Sequence, residues 1–416
     1  TNINIGAINF ANNLTVIVTA NSVVKFGSSF NWGSAATFKN FGTVEEINTS
    51  PSLTGGVFRN QGTMKIKGSL TISADANPTK VYNTGSLEVT ASSNFRGLFE
   101  NSGTVLLNGS QNFLAGSDFR NEAGGSVTIQ GSNYSDLGGK FDNAGTFTID
   151  GAGLNMNNSS APTTFVNSGT FSGTSAKLVL SGTFTNNGTV TVNEIAVNSG
   201  GKIYNNCKWF VTKTDQWINT IDGLIENTSY FSVSGGIQVN SNGTIRLKNG
   251  ALFATKYVST LNTPVEAPLN GSTSVFKIND SYVNGSTVSN VKFNGPIQVV
   301  STAALPAAMF ANGAQRKATS AETVTISAGS CMAEGSGPVV NTDPDGDTVH
   351  GTADLYPNDP NKAYNSFSEN YFNEGSTIAF EDNWPSQGDY DLNDLGIRYQ
   401  HKVITNAQNK VVRIEA

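Results

Sequence analysis

The residues of this 416-residue chain best suited to chemistry are carboxylates near its C-terminal end. Four of them, at positions one, three, five and twelve of one loop, join a backbone carbonyl at position seven to form a candidate ligand set: Asp343, Asp345, Asp347, Asp354 and Val349. Hard oxygen ligands at this spacing wrap one Ca²⁺. Thr348 replaces the usual glycine at position six, so the match to an EF-hand loop is incomplete. The loop predicts a calcium site, and the alternative is a solvated acidic loop without metal.

A second group of carboxylates follows within about 14 residues: Glu381, Asp382, Asp389, Asp391 and Asp394. Like charges this dense destabilise one another unless a counter-charge is present. Oxygen ligands again suit Ca²⁺. The segment therefore predicts a second cation site, and the equally favoured alternative is a set of solvated carboxylates around Trp384 as a core anchor.

The first loop resembles the thrombospondin type 3-like calcium repeats of secreted bacterial proteins. Those repeats run Asp-x-Asp-x-Asp-Gly and close with a Tyr-Pro-x-Asp-Pro tail, which here is residues 356–360. The resemblance implies Ca²⁺ as the bound ion and an exported protein.

Residues 379–400, AFEDNWPSQGDYDLNDLGIRYQ, resemble the start of the LruC domain, a C-terminal module of exported proteins from Bacteroidota and other Gram-negative bacteria. The matching residues are Phe380-Glu381-Asp382, Trp384-Pro385, Gly388-Asp389-Tyr390-Asp391 and Asn393-Asp394-Leu395. The resemblance covers about the last 80 residues and implies export and surface display rather than a particular chemistry. LruC modules usually continue well beyond this motif, whereas 16 residues follow here. Either the chain is a fragment of a longer precursor, or another chain completes its sheet at the last, alternating strand.

Composition argues against several classes of protein. With 44 glycines and 13% charged residues, and an excess of Asn, Ser and Thr, the chain is rich in turns and poor in helix formers. The net charge of -6 comes without a basic block, so nucleic acid is not expected as a partner. His350 and His401 are the only histidines, which argues against triad chemistry and histidine-rich metal sites.

The chain has no apolar stretch of the roughly 18 to 20 residues that a membrane helix needs, so no transmembrane segment is predicted. It opens at Thr1 without a signal segment, as a processed, secreted protein would. Cys207 and Cys331 lie far apart, and their spacing does not decide whether they pair.

The secondary structure of the chain is indicated by a repeat of the form aromatic-x-Asn-x-Gly-Thr-apolar-x-apolar. Clear copies begin at Phe38, Phe58, Val81, Phe99, Phe141, Phe165 and Phe184, and weaker ones at Phe119, Ile203, Ile225 and Val239. The starts are about 20 residues apart, the length of one solenoid coil. Stacked coils would align the Phe and Asn side chains in structural ladders: Phe38, Asn40, Phe58, Asn60, Phe99, Asn101, Phe141, Asn143, Phe165, Asn167, Phe184 and Asn186.

The physical character of each motif position predicts an all-β, parallel β-solenoid. The Phe fills the interior, the Asn-x-Gly step turns the chain through its tolerance of positive φ, and the alternating segment forms a strand. We place an N-terminal cap or first coils in 1–37, the solenoid in 38–256, irregular coils or a small β domain in 257–340, and the acidic loop with the partial LruC-like domain in 341–416. Hairpins in a sandwich or barrel are the alternative, which the recurrence of one motif disfavours.

These features predict a non-enzymatic, extracellular structural or adhesive protein of the cell surface. Its expected partners are itself, in head-to-tail filaments with calcium-stabilised contacts, and surface glycans or cell-envelope proteins. A monomeric glycan-binding stalk is the alternative, with exposed aromatic residues such as Trp209 and Trp217 as contacts.

Two further functions are weaker hypotheses. A polysaccharide lyase or hydrolase needs carboxylates grouped on neighbouring coils, whereas the acids of the repeat are scattered: Glu88, Glu100, Glu122, Asp142, Asp150 and Glu194. An ice-binding protein would carry Thr-x-Thr on every coil, and the sequence lacks that regularity.

Overall fold

The computed structural model describes residues 2–6, 8–10, 13–27, 30–32, 35–47, 50–73, 79–156, 163–214, 218–282, 290–301, 304–317, 331–332, 345, 347, 349, 354–372, 375–380 and 395–416. The chain divides into two compact units, Thr1–Gly337 and Pro338–Ala416. Among the described residues the single helix is a three-residue 3-10 helix, Ala307–Met309, and no described helix is long and apolar enough to cross a membrane.

The first unit is built from short strands. They are β1 (Asn2–Ile5), β2 (Ile8–Phe10), β3 (Thr15–Val18), β4 (Val23–Phe26), β5 (Phe30–Trp32), β6 (Thr37–Asn40), β7 (Thr43–Ile47), β8 (Ser52–Thr54), β9 (Val57–Asn60), β10 (Thr63–Ile66), β11 (Thr71–Ser73), β12 (Lys80–Asn83), β13 (Ser86–Val89), β14 (Ser93–Asn101), β15 (Thr104–Asn108), β16 (Gln111–Asn121), β17 (Ser126–Leu137), β18 (Lys140–Asn143), β19 (Thr146–Met156), β20 (Thr164–Asn167), β21 (Thr170–Leu180), β22 (Thr183–Asn186), β23 (Thr189–Val197), β24 (Lys202–Asn205), β25 (Lys208–Val211), β26 (Ile218–Ile221), β27 (Leu224–Asn227), β28 (Tyr230–Val239), β29 (Thr244–Leu247), β30 (Leu252–Leu261), β31 (Val265–Glu266), β32 (Ser274–Tyr282), β33 (Phe293–Asn294), β34 (Ile297–Ser301), β35 (Phe310–Ala311) and β36 (Gln315–Lys317).

These strands form a parallel β-solenoid of about 14 turns, which confirms the predicted fold class. Each strand pairs in parallel with the equivalent strand of the next coil, so that Phe38 lies beside Phe58 and Asn40 beside Asn60. The pairing begins at β1, which pairs with β4, and continues to β36, which pairs with β34. Residues before the first clear motif and residues after 257 therefore contribute coils of the same stack.

The coils present three faces, which we name by their strands. Face A contains the aromatic-x-Asn strands, such as β6 and β9, and face B contains the Thr-apolar-x-apolar strands, such as β7 and β10. Face C contains the strands between them, such as β8 and β11. Longer strands turn a corner of the stack: β19 pairs with β21 along both face B and face C.

Aromatic rings fill the interior in columns. On face A, Phe165 stacks on Phe184 with ring centroids 4.7 Å apart and nearly parallel planes. A second column runs inside face B and meets the first edge-on, as between Phe165 and Phe171 at 5.4 Å. The motif described this second position only as apolar, and its aromatic members are Phe147, Phe171, Trp209, Phe231, Phe253 and Phe276.

Buried asparagines form a continuous hydrogen-bonded ladder of ten residues: Asn40, Asn60, Asn83, Asn101, Asn121, Asn143, Asn167, Asn186, Asn205 and Asn227. Each Nδ2 donates to the Oδ1 of the next asparagine at 2.7–2.8 Å. The amides also donate to backbone carbonyls of their own turn and of the next coil, as Asn83 does to Gly85 and Thr104. Because a buried polar group is costly only when unpaired, the ladder lets a polar column occupy the core.

The glycine two residues after a ladder asparagine, as at Gly145 and Gly169, has a different cause from the one predicted. Neither Gly145 nor Gly169 adopts a positive φ, so conformational freedom is not the requirement at these turns. A Cβ on Gly145 would lie 2.2 Å from the carbonyl oxygen of Gly125, and one on Gly169 would lie 2.1 Å from that of Gly145. At these two turns the prediction of a positive φ was wrong: glycine is required there because adjacent backbones approach too closely for a side chain.

The two cysteines form a disulfide, with Cα atoms 4.5 Å apart across a sequence separation of 124. Cys207 lies in the turn between β24 and β25, inside the stack, whereas Cys331 follows the last described coil. A covalent bond therefore joins a mid-solenoid turn to the chain beyond the solenoid.

The second unit consists of small antiparallel sheets. Its strands are β37 (Tyr364–Phe367), β38 (Ser376–Phe380), β39 (Leu395–Tyr399), β40 (Lys402–Thr405) and β41 (Val411–Glu415). One sheet has the order β37-β40-β41, and β38 and β39 form a two-stranded pair. Ala363, just before β37, and Ile404 on the central strand β40 are buried, while Val411 and Ile414 on the last strand are exposed.

Candidate functional site

Three of the predicted calcium ligands come together in the second unit. Asp345, Asp347 and Asp354 each present a carboxylate oxygen within 4.8 Å of the other two. The cluster is largely buried, with Asp347 8% exposed and Asp354 6% exposed. Val349 is also buried beside it, and Asp343 lies outside the described residues.

Local hydrogen bonds position these carboxylates. Asp354 Oδ1 accepts from the backbone N–H of Tyr356 at 2.7 Å, and Asp347 Oδ1 accepts from that of Val349 at 2.7 Å. Aspartate favours such turns because its side chain can hydrogen-bond the backbone two residues on. The Oδ2 atoms of Asp345 and Asp354 are buried and accept no hydrogen bond from any described residue. One oxygen of Asp354 thus shapes the loop, and the other is left for the cluster.

The second half of the loop is fixed to the three-stranded sheet. Tyr356 donates its hydroxyl to Asn365 Oδ1 at 2.6 Å, and the backbone N–H of Leu355 donates to the carbonyl of Ala363 at 2.9 Å. Ala363 in turn donates its N–H to the carbonyl of Thr405 at 2.8 Å. The position of Asp354 is therefore set by strands β37 and β40 rather than by the loop alone.

Nearby lysines are engaged elsewhere. Lys362 forms an ion pair with Asp359 at 2.6 Å, and its hydrogen bond lowers the pKa of that carboxyl. Lys402 lies 3.7 Å from Glu415. Within the described ranges, no lysine or arginine forms an ion pair with Asp345 or Asp354. The cluster therefore combines hard oxygen donors with an excess of negative charge, the donor set that Ca²⁺ prefers.

The second predicted cation site cannot be placed. Glu381, Asp382, Asp389, Asp391 and Asp394 lie outside the described residues. Strands β38 and β39, which flank this segment, pair from Ser376 with Tyr399 to Phe380 with Leu395. The second site stays a prediction from the sequence.

The acids of the solenoid are largely neutralised along the stack. Glu88 accepts from Lys65 of the neighbouring coil at 2.8 Å, and Glu194 pairs with Lys213 and lies 4.0 Å from Lys177. Asp142 pairs with Lys140 of its own strand. Burial, reinforced by nearby acids, raises the pKa of Glu100 even though Arg120 and Arg59 offset part of the effect. Glu88 and Glu194 therefore pair with lysines of neighbouring coils, whereas Asp142 pairs within its own strand.

The aromatic glycan contacts suggested by the sequence are not supported at the one position described. Trp209 is 0% exposed and stacks on Phe231 in the interior of face B, so its ring is inaccessible to a ligand. Trp217 lies outside the described residues.

Face B carries a feature that the sequence analysis missed. Strand register aligns one outward hydroxyl from each of eight successive coils: Thr43, Thr63, Ser86, Thr104, Ser126, Thr146, Thr170 and Thr189. Four of these coils add a second hydroxyl two residues on, at Thr128, Thr148, Ser172 and Thr191. The signal was the threonine of the motif itself, because stacked copies align this residue in a column as they align the Phe and Asn side chains.

The chain matches no protein-family model, no curated protein and no solved structure.

Proposed function

We propose that this chain is an extracellular structural and adhesive protein of the cell surface, in which the solenoid serves as a stalk and the second unit binds Ca²⁺. The observation that carries the proposal is the unbroken parallel stack from β1 to β36 with its internal asparagine ladder. About 14 turns at a spacing of about 4.8 Å give roughly 65 Å of continuous hydrogen-bonded sheet. Such a stack supplies length and rigidity.

The outward surface of the solenoid also suits an extended role. Face B presents neutral hydroxyls over eight coils, and the charges beside them pair between coils, as Lys25 with Glu45 and Lys65 with Glu88. Parallel pairing satisfies the backbone of every internal coil, so the coils support one another as nearest neighbours. The resemblance of residues 379–400 to the LruC domain adds an expectation of export and surface display.

The calcium component rests on the charge of the aspartate cluster. Three carboxylate oxygens within 4.8 Å of one another place like charges close together in a largely buried cluster, where they repel. The buried, unpartnered Oδ2 of Asp354 adds an uncompensated desolvation penalty. A divalent cation bound between the three carboxylates offsets both costs, with backbone carbonyls or water completing its shell.

Thermal unfolding of the full chain with Ca²⁺ and with a chelator tests this site. We expect Ca²⁺ to raise the unfolding temperature of the second unit, since a ligand that binds only the folded state stabilises it. Asp354→Asn should abolish the response. Asp359→Asn makes the same chemical change at a half-buried residue paired with Lys362, outside the cluster, and should preserve the response to Ca²⁺. A wild-type protein indifferent to Ca²⁺ would refute the calcium site.

Negative-stain electron microscopy tests the stalk. Rods of roughly 65 Å would support a monomeric stalk, whereas compact particles without rods would refute it. Head-to-tail stacking of copies is the alternative arrangement of the same stalk, because a solenoid coil can pair with a coil of another copy. Filaments that shorten on chelation would identify a calcium-dependent polymer of the same stalk.

A further inference from the structure

The chain that follows the last described coil contacts the stack again at Cys331 and Met332. We call Cys331 and Met332 the strap. The Cys331 sulfur is bonded to Cys207, and the Cys331 carbonyl accepts a hydrogen bond from Ser229 Oγ at 2.8 Å. Met332 packs against a cluster of outward-facing apolar side chains, which comprises Tyr230, Leu252, Ala254, Val275 and Val300, with Phe210 beside it.

The repeat is altered where the strap attaches. Cys207 and Ser229 occupy the turn-glycine position in two successive copies of the motif. In the copy before them this position is Gly188, where a Cβ would lie 2.1 Å from the carbonyl oxygen of Gly169. Side chains are thus admitted at this turn in two adjacent coils, and both of those side chains hold Cys331.

The outward surface of face B changes at the same place. The column of hydroxyls ends at Thr189, and the next positions in register are Lys208, Tyr230, Leu252 and Val275. Tyr230 and Leu252 are buried although they point away from the solenoid interior, because they belong to the cluster that Met332 covers. The apolar residues of this column therefore occur where Met332 packs, which indicates a specific contact between the strap and face B.

Connectivity gives this contact a mechanical consequence. The second unit begins at Pro338, so along the chain a pull from that unit reaches Cys331 before it reaches any described coil. The disulfide passes the tension directly to Cys207. A sequence separation of 124 leaves 123 residues between the cysteines, among them strands β25 to β36, outside the covalent load path.

We propose that the Cys207–Cys331 disulfide transmits force past the last coils of the solenoid and prevents them from unravelling when the second unit is pulled. The biological use of this device rests on the proposed stalk function, but its mechanical effect does not. Without the bond, tension would enter at the last coil and peel the stack one coil at a time, because each coil contacts only its neighbours.

A dithiol reductant breaks the disulfide through balanced thiol–disulfide exchange. One thiolate of the reductant attacks a sulfur of the disulfide, the second closes the reductant into its own disulfide, and Cys207 and Cys331 each take up a proton as free thiols. The 123 intervening residues then join the load path. At a full extension of about 3.3–3.6 Å per residue they add about 400 Å of contour length.

Single-molecule force extension of the full chain, tethered at its two ends, tests the proposal. Without reductant, we expect complete unfolding to give a contour length about 400 Å shorter than with dithiothreitol. With dithiothreitol, the trace should also contain additional steps of about 70 Å, one for each coil of about 20 residues between the two cysteines. The double variant Cys207→Ser/Cys331→Ser should behave without reductant as the reduced wild type does.

Equal contour lengths with and without dithiothreitol would overturn the proposal. If the double variant fails to fold, the comparison of the wild-type protein with and without dithiothreitol is sufficient to test the proposal. Failure of the stalk function is separable, because compact particles in electron microscopy would refute the stalk while leaving the contour-length difference intact.

Discussion

Removing one rung of the asparagine ladder should measure how strongly it holds adjacent coils together. Asn143 is 2% exposed, accepts from Asn121 Nδ2 at 2.7 Å, and donates to Asn167 Oδ1 at 2.7 Å and to the carbonyl of Thr170 at 3.1 Å. Asn143→Ala deletes all three hydrogen bonds and leaves their partners in the core.

The magnitude follows from those partners. Each lost bond is worth about 1 kcal/mol, and a buried group left unsatisfied costs about 1–3 kcal/mol. Asn121 Nδ2 keeps the carbonyl of Thr146 as an acceptor at 3.0 Å, so the main penalty falls on Asn167 Oδ1. Three lost bonds and one unsatisfied group together give an expected loss of about 4–6 kcal/mol in the free energy of unfolding.

Urea unfolding followed by far-ultraviolet circular dichroism, together with hydrogen exchange of the flanking strands, would measure the loss. Asn206→Ala is the matched control, since Asn206 Nδ2 donates to Asn187 Oδ1 at 2.8 Å in an exposed asparagine pair. Its cost should stay below about 1 kcal/mol because water replaces the lost bond. If the two variants lose equal stability, burial does not govern the ladder and the reasoning fails.

Three other substitutions test the remaining features of the stack. Gly145→Ala should prevent close stacking and lower the unfolding temperature sharply, because the new Cβ would lie 2.2 Å from the Gly125 carbonyl oxygen. The control variant Gly396→Ala should change the unfolding temperature little, because a Cβ there has no neighbour within 4 Å. Phe165→Ala removes a buried ring stacked on both sides and should cost about 3–5 kcal/mol in urea unfolding. Glu100→Gln should raise the unfolding temperature at neutral pH. Burial raises the folded-state pKa of Glu100 above 4.5, so wild-type stability falls as pH rises from 4.5 through the folded-state pKa. The stabilities of the two proteins should therefore converge below pH 4.5. A difference that grew on acidification would contradict the burial argument for Glu100.

The fold was predictable because most coils contain the same short sequence motif. Phe-x-Asn and Gly-Thr recur at the length of one coil, and parallel stacking is the arrangement that places identical side chains in columns. The cause of the glycine was not predictable from one copy, since the clash at Gly145 is with a carbonyl of the neighbouring coil. The pairing of Cys207 with Cys331 was also inaccessible, because it depends on where the chain returns after the last described coil.

The aspartate cluster was partly predictable for a related reason. Asp345 and Asp347 are close in sequence, and their hydrogen bonds are local. Asp354 joins them because Leu355 and Ala363 tie the end of the loop to the sheet, a contact that ligand spacing alone does not reveal. The hydroxyl column of face B required the register of many strands, which no single motif contains.

The asparagine ladder gives the solenoid a direction as well as cohesion. Every side-chain amide donates toward higher residue numbers, from Asn40 to Asn60 and onward to Asn227. A stack that forms from the N-terminal side would always end in an amide donor, and the next coil would supply its acceptor. The series stops at Asn227, whose Nδ2 donates to the carbonyls of Ser229 and Leu252, while the next residue in register is Leu247. The ladder thus has one donor direction, and backbone carbonyls accept the hydrogen bonds of its last amide.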